Sequence, residues 1–310
     1  MAITLQENLR AVLYAPYYCA LELGAYAQAG VDVRFLTHTL PGGAVPALFD
    51  GTVDIAWGGP MRVMQTYDQR ADCDLVCFAE VVTRDPFFLV GRRPNPAFKL
   101  ADLMTAGIAT VSEVPTPWMC LQEDLRREGL DPTRIARIAD RSMADNAAAL
   151  RRGEVDVVQL FQPFVEDLVE SGAGHIWAAG AARGPTSYTC FYTRRATLAA
   201  RRDELFRMVR AIHGTLAWVH ASSGAEIART IRSYFPDVPQ SRLAAALDRY
   251  KALGIWGRDT WLPRNGYDRL KAGLVSGGLV RTGTPFETAV DNSLADEVLR
   301  AGAPPKVGPA

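Results

Sequence analysis

The sequence predicts an α/β protein of two lobes, each built on a mostly parallel sheet flanked by helices, with a helical region after the second lobe. Three observations support this prediction. The chain has 310 residues, more than one ordinary hydrophobic core contains. Short apolar runs alternate with segments of helical spacing, which is typical of parallel sheets. The same alternation then begins a second time further along the chain.

The first lobe opens with a strand, a helix and a second strand. Hydrophobic period and turn residues predict, in order, a strand over 9–13, a helix over 20–28, a strand over 31–36, a short helix ending at Gly51, a strand over 53–57, a helix from Met61 and a strand over 74–82. Strands that alternate with helices in this way form a sheet covered on both faces.

The second lobe repeats this plan. Its predicted elements are a strand over 107–111, a helix over 118–128, a strand over 135–139, a helix over 145–152 and a strand over 155–160. Proline and glycine mark two crossings between the lobes, at 83–86 and 183–185, and a β-rich run over 186–193 follows the second. We therefore assign residues 1–83 to lobe 1, 84–185 to lobe 2, 186–302 to the mostly helical second part of lobe 1 and 303–310 to a loose tail.

Composition narrows the classes of function. Lys and Arg balance Asp and Glu, and no run of like charge occurs, so we expect no nucleic-acid partner. No apolar stretch approaches about 20 residues, and no basic segment with an apolar one after it stands at the start. Five scattered cysteines do not suggest a disulfide framework. As the sequence stands we expect a cytoplasmic protein, with a periplasmic location as the alternative if a signal peptide was removed.

Two kinds of segment resemble a known family. The first is an opening that runs through Tyr14-Ala15-Pro16-Tyr17-Tyr18, then 22–26 and 29–33. The second, a short helix ending in Gly with an acidic residue just before a strand, occurs at 48–54 and again at 150–156. Together they resemble the sulfonate, taurine and thiamine-pyrimidine group of ABC-importer substrate-binding proteins, which includes the thiamine-pyrimidine synthases. Each glycine is better explained as a helix stop than as a ligand contact.

The resemblance implies a type II periplasmic-binding-protein fold, hinge closure over a small organic ligand and, for an exported chain, ABC permease subunits as partners. We expect a monomer or weak dimer. Thiamine-pyrimidine synthases carry pyridoxal phosphate on a lysine and use a nearby histidine and a cysteine-rich run. Here the loop after residues 53–57 has neither Lys nor His, and only Cys190 remains of the run. We therefore expect no cofactor, no metal and no catalytic residue.

Ligands of open parallel sheets bind beyond the carboxyl ends of the strands, next to helix N-termini. This rule selects the loops 14–18, 40–44, 57–60, 112–118 and 161–164. Their aromatic residues, suited to sandwiching a flat ligand, include Tyr14, Tyr17, Tyr18, Trp57, Trp118 and Phe161. Tyr17 and Trp118 have polar or proline-rich neighbours that favour loop positions. Packing beneath the loops explains any single ring equally well.

Glycines and polar residues complete the predicted ligand site. Gly42, Gly43, Gly58 and Gly59 allow backbone N–H groups to approach a ligand oxygen, or only form turns. Arg62, Ser112, Glu113, Gln159 and Gln162 suit recognition of a carboxylate, an amide or a ring nitrogen, or are merely solvated. Arg84 and Asp85 are expected to anchor the first crossing.

These observations predict a binding protein for a planar aromatic or heteroaromatic compound of the pyrimidine, aromatic-acid or sulfonate class. The alternative is a cytosolic enzyme of pyrimidine, thiamine-precursor or aromatic-acid metabolism, of the lyase or decarboxylase type. A closed cleft that excludes water suits either function.

Overall fold

A computed structural model describes residues 2–37 and 43–308. In these residues the chain forms two five-stranded sheets. Their strands, in chain order, are β1 Ile3–Glu7, β2 Val33–Leu36, β3 Ile55–Gly58, β4 Leu75–Val82, β5 Phe88–Gly91, β6 Ile108–Ala109, β7 Arg137–Ile138, β8 Val157–Leu160, β9 His175–Ala179 and β10 Thr189–Arg194.

Helices cover both sheets and form the region after the second crossing. They are α1 Ala15–Glu22, α2 Ala25–Gln28, α3 Ala44–Asp50, α4 Pro60–Gln69, α5 Thr116–Arg127, α6 Met143–Arg152, α7 Phe164–Glu170, α8 Arg195–Ala200, α9 Arg202–Ala221, α10 Gly224–Thr230, α11 Gln240–Leu253, α12 Arg264–Ser276, α13 Phe286–Ala289 and α14 Ser293–Arg300. Within the described residues, no helix combines the length and the apolar character that crossing a membrane requires.

The strand order is β2-β1-β3-β10-β4 in the first sheet and β7-β6-β8-β5-β9 in the second. Four strands of each sheet run in one direction, which confirms two lobes with mostly parallel sheets. The exceptions are β5 and β10, the strands that follow the two crossings. Each pairs antiparallel with both of its neighbours inside a sheet. The exact lobe limits at 83/84 and 185/186 stay a prediction.

The first strand lies earlier than the sequence suggested. Residues 9–13 are not a strand, because they form a buried bend that leads into a short 3-10 helix, Val12–Tyr14. The strand is β1, and all five of its residues are buried. Its last residue, Glu7, is fully buried beside Arg10, with 2.6 Å between Oε1 and Nη2. Because β1 ends in this ion pair, a search of the sequence for apolar runs does not identify the strand.

The crossings are held by side chains from the C-terminal helices. The Tyr250 hydroxyl of α11 accepts a hydrogen bond from the Gln162 N–H of lobe 2 and donates one to the Pro86 carbonyl of the first crossing. Near the start of α11, Arg242 pairs with Asp167 of α7 at 2.6 Å. The helical region therefore contacts both lobes beside the hinge.

Candidate functional site

A small cavity lies between the lobes, at the carboxyl ends of β1, β3 and β8. Its volume is about 40 Å³, far below the roughly 300–1,000 Å³ of typical small-molecule sites. Four residues of the predicted site line it: Tyr14, Gly59, Arg62 and Phe161. The other lining residues, which the sequence did not single out, are Asn8, Leu9, Leu13, Met61, Phe87, Val114, Thr116 and Tyr188.

Asn8 directly follows β1 and lines the cavity. Its Nδ2 donates hydrogen bonds of 2.7 Å to the Trp57 carbonyl and to the Tyr192 hydroxyl. Because the Trp57 carbonyl can only accept, the amide orientation is fixed. The Oδ1 atom is buried and has no partner among the described residues. A buried acceptor of this kind is suited to an N–H or O–H donor on a ligand.

Arg62 supplies the positive charge of the cavity. It lies in the first turn of α4, half-buried, and no described carboxylate is within ion-pair distance of its guanidinium. Burial raises the pKa of Tyr14 to about 12, and the nearby Arg62 charge opposes that rise. Among the described residues, no Asp or Glu lines the cavity. The cavity therefore has an unbalanced positive charge.

Two helices begin at the cavity without a side-chain cap. Gly59 precedes α4 and Pro115 precedes α5, and neither position provides a capping hydrogen bond. By contrast, Ser142 caps α6 and Ser223 caps α10, both away from the cavity. The unbonded N–H groups at the starts of α4 and α5 add to the positive potential there.

Aromatic rings close the remaining sides. Phe87 of the first crossing contacts Phe161 of lobe 2 edge to face, with 5.1 Å between ring centroids. The Phe87 ring centroid also lies 6.2 Å from that of Tyr188. The Tyr188 hydroxyl is buried and has no hydrogen-bond partner among the described residues. These rings provide flat apolar surface, and the Tyr188 hydroxyl provides a second polar contact, so the lining suits a planar compound with polar substituents.

Three aromatic residues that were predicted to contact the ligand lie instead in the core of lobe 1. Trp57 is fully buried between Tyr17, at 4.7 Å and nearly parallel, and Phe35, at 5.3 Å. Tyr18 is also fully buried, and its hydroxyl donates to Glu7 Oε2. The expected loop position of Tyr17 is wrong, because it lies within α1. None of the three lines the cavity.

Trp118 also departs from the prediction. It lies in α5 rather than in a loop, is 5% exposed and packs in the core of lobe 2. The Arg137 guanidinium lies over its ring at 4.5 Å. The two prolines just before it, Pro115 and Pro117, suggested a loop, yet proline is also favoured in the first turn of a helix, where it costs no hydrogen bond. The structure does not bring Trp118 to the cavity.

The polar candidates of lobe 2 have structural partners. Glu113 accepts a hydrogen bond from the Met143 N–H at the start of α6, and the exposed Ser112 hydroxyl donates to Glu113. Gln159 Nε2 donates to the Pro117 carbonyl, and the Gln162 side chain bonds to Glu166. None of these four lines the cavity between the lobes, although Gln159 lines a second groove at the hinge.

Of the four glycines, Gly42 lies outside the described residues, and Gly43 precedes α3 with ordinary helical angles. Gly59 lines the cavity. Gly58 supports it from beneath: a Cβ there would lie 2.8 Å from Asn8 Nδ2 and 3.3 Å from the Tyr192 ring. Gly58 therefore leaves room for the Asn8 amide rather than for a ligand.

Replacing Gly58 by Ala should displace Asn8 and lower the free energy of unfolding by about 1–3 kcal/mol, the usual cost of overpacking a core. Urea denaturation of the variant measures this loss. Gly107→Ala is the matched control, because a Cβ at Gly107 would meet only Asp156 Oδ2, at 3.8 Å. Equal stability of the two variants would contradict the proposed crowding at Asn8.

Solved structures with this fold include transport receptors and an enzyme. The ligand-binding component of an ABC-type import system from Staphylococcus aureus, solved with zinc bound, has a TM-score of 0.74 at 14% identity, covering 96% of this chain and 99% of that one. The alkanesulfonate-binding protein SsuA from Xanthomonas axonopodis pv. citri, bound to MOPS, has a TM-score of 0.71 at 16% identity, covering 94% and 98%. A mutant of the desulfurization enzyme DSZB with biphenyl-2-sulfinic acid has a TM-score of 0.68 at 15% identity, covering 97% and 100%.

These likenesses confirm the fold that the resemblance implied. Among curated proteins, "Putative binding protein YtlA" of Bacillus subtilis (strain 168) is 25% identical over 298 residues, which are 96% of this chain and 89% of that protein. The family model described as NMT1/THI5 like matches residues 12–223, more than half of the chain. The chain therefore belongs to the NMT1/THI5-like family.

Proposed function

We propose that this protein is a solute-binding protein whose lobes close on a planar aromatic or heteroaromatic compound, with an acidic group on the ligand paired to Arg62. The observation that carries the proposal is the unpaired Arg62 guanidinium in a cavity that no carboxylate lines. A half-buried charge without a partner is costly, and an anionic ligand removes that cost.

The arrangement narrows the three ligand classes that the sequence left open. Arg62 and the uncapped start of α4 favour an aromatic carboxylate or sulfonate over a neutral pyrimidine. The free Oδ1 of Asn8 favours a ligand that also carries a hydroxyl or amino donor. Phe87 and Phe161 supply surface for the ring. A hydroxy- or amino-substituted aromatic acid or sulfonate satisfies all three requirements.

The small volume of the cavity supports hinge closure as the binding mechanism. A cavity of about 40 Å³ does not hold an aromatic acid, so the lobes must separate for entry. The two crossings lie in the segments 83–87 and 180–188 that join one sheet to the other, and bending there changes the separation of Arg62 from Phe161. Ligand contacts made with both lobes at once favour the closed form.

Names of proteins with similar folds support the class of function. One is a component of an import system, and SsuA binds MOPS, which is itself a sulfonate. We therefore propose ABC permease subunits as the partner and a location outside the cytoplasmic membrane for the working protein. Solute delivery to a permease requires no chemistry on the ligand.

Replacing Arg62 by Gln should weaken the binding of an aromatic carboxylate or sulfonate by at least about tenfold, because a hydrogen bond to a charged group contributes roughly 1.5–3 kcal/mol. A thermal-shift screen with hydroxybenzoates, aminobenzoates, benzenesulfonates and pyrimidines identifies the ligand, and isothermal titration calorimetry measures its affinity. Arg134→Gln is the control, since Arg134 is exposed in lobe 2 and away from the cavity. Equal affinity of the Arg62→Gln variant and the wild type would refute the anionic site.

An enzyme is the second candidate, because the desulfurization enzyme DSZB has a similar fold. Incubation of the protein with its identified ligand, followed by chromatography and mass spectrometry, separates the two functions. Full recovery of the unchanged ligand supports the receptor. A product formed in proportion to protein concentration and time would establish an enzyme and overturn the receptor.

A further inference from the structure

A second, larger cavity lies at the hinge, separate from the cavity between the lobes. This hinge groove has a volume of about 420 Å³, within the range of roughly 300–1,000 Å³ typical of small-molecule sites. The two cavities have one lining residue in common, Phe87. The hinge groove is therefore close to the ligand cavity but opens separately from it.

Both crossings and both lobes contribute to the hinge groove. Asp85 and Phe88 come from the first crossing and the strand after it, and Arg183 comes from the second crossing. Leu121 belongs to α5 of lobe 2, whereas Arg269 belongs to α12 of the C-terminal region. An occupant of the groove would consequently contact every segment that moves when the lobes close.

The walls of the hinge groove are largely apolar. Leu89 of β5, its cross-strand neighbour Ala178 of β9 and Leu121 of α5 pack in one cluster that lines the groove, and Leu100 lies beside them. Apolar surface in a concave site favours a ligand with a hydrocarbon body.

Some charged side chains of the groove have an ion-pair partner, and others do not. Asp85 and Asp124 both pair with Arg183. Arg269 is half-buried, its Nη1 donates only to the Arg183 carbonyl, and no described carboxylate pairs with it. Glu128 also has no described ion-pair partner, but it is exposed at the end of α5, where water solvates its charge. The cation is thus the group in the groove that gains most from a ligand.

We propose that the hinge groove binds a small monocarboxylate with an apolar body, its carboxylate paired to Arg269 and its hydrocarbon part packed on Leu89, Leu121 and Ala178. This site is independent of the ligand cavity, because it uses different polar residues.

Isothermal titration calorimetry of the full chain with octanoate tests the proposal. We expect one saturable site. Arg269→Gln, which keeps the side-chain length, should weaken octanoate binding by about tenfold or more. Ala178→Phe should abolish it by filling the groove. Octylammonium, with the same chain and the opposite charge, should bind no more tightly to the wild type than to Arg269→Gln.

Two other arginine variants test whether octanoate binding depends specifically on Arg269. Arg62→Gln, in the ligand cavity, and Arg134→Gln, on the surface of lobe 2, should leave octanoate affinity unchanged. If Arg62→Gln alone abolishes binding, octanoate occupies the ligand cavity and the groove proposal is wrong. It is also wrong if the wild type shows no saturable binding, or if Arg269→Gln binds as tightly as wild type. If Ala178→Phe does not fold, Arg269→Gln decides the outcome.

Discussion

Replacement of Arg183 by Met is expected to lower the free energy of unfolding by about 3–5 kcal/mol, the range found when one partner of a buried ion pair is removed. Arg183 pairs with Asp85, whose side chain is 1% exposed, at 2.6 Å, and also with Asp124. Burial raises the pKa of Asp85, and the Arg183 charge opposes that rise. Without Arg183 the Asp85 carboxylate is buried and uncompensated in the first crossing.

Urea denaturation followed by circular dichroism measures this loss. Arg242→Met is the matched control, because it breaks the more exposed ion pair between α11 and α7 and should cost only about 0–1 kcal/mol. The double variant Asp85→Asn with Arg183→Met should recover part of the stability, since it removes the unpaired charge. A loss no larger than that of Arg242→Met would show that the pair contributes nothing beyond an ordinary surface contact.

Glu80 is expected to make stability depend on pH. It lies in β4, fully buried, and neither carboxyl oxygen has a hydrogen-bond partner among the described residues. Burial raises the pKa of Glu80 from 4.5 to about 8. The unfolded chain releases this proton at lower pH than the folded chain does. The contribution of Glu80 to stability is therefore complete below about pH 4.5 and is lost as pH rises through about 8.

Glu80→Gln removes the titration and keeps the shape of the side chain. The variant should therefore unfold at a higher temperature than the wild type, with a difference that grows between pH 5 and pH 9. Calorimetric melting temperatures at a series of pH values measure it. Glu128→Gln, at an exposed position, is the matched control for the Glu-to-Gln change itself. A Glu80→Gln difference that stays constant across this range would show that Glu80 is already ionised in the folded protein.

The fold could be predicted because hydrophobic residues repeat with a different period in strands and in helices, which short stretches of sequence reveal. In addition, the segments that resemble the known family occur in the expected order. Most strands and helices lie within a few residues of their predicted positions. The strands β5 and β9 were not predicted, since β5 is only four residues long and directly follows the crossing, and the residues of β9 are half-buried and lack a long apolar run. The strand β1 was misplaced, since its buried Gln6 and Glu7 look like solvent-facing residues in the sequence.

The ligand cavity was predicted only in part, for two physical reasons. Placing β1 at 9–13 made Asn8 precede the strand rather than follow it, so the rule for carboxyl ends of strands could not select it. With β1 at Ile3–Glu7, the same rule selects Asn8. The aromatic residues present a different difficulty. Tyr17 and Trp57 stack on each other beneath the cavity, and nothing in the local sequence distinguishes a ring that packs downward from one that faces a ligand.

The antiparallel strand β10 constrains the order in which the protein can be assembled on the ribosome. It lies between β3 and β4 in the first sheet, although more than a hundred residues separate it from β4 along the chain. Lobe 2 is continuous in sequence and emerges completely before β10 does. Synthesis from the N-terminus therefore allows lobe 2 to fold while β4 still lacks its neighbour, and leaves an open sheet edge on the earlier segment. A chaperone that shields exposed strand edges would be expected to act on this chain during that interval, before the last third of the protein has been translated.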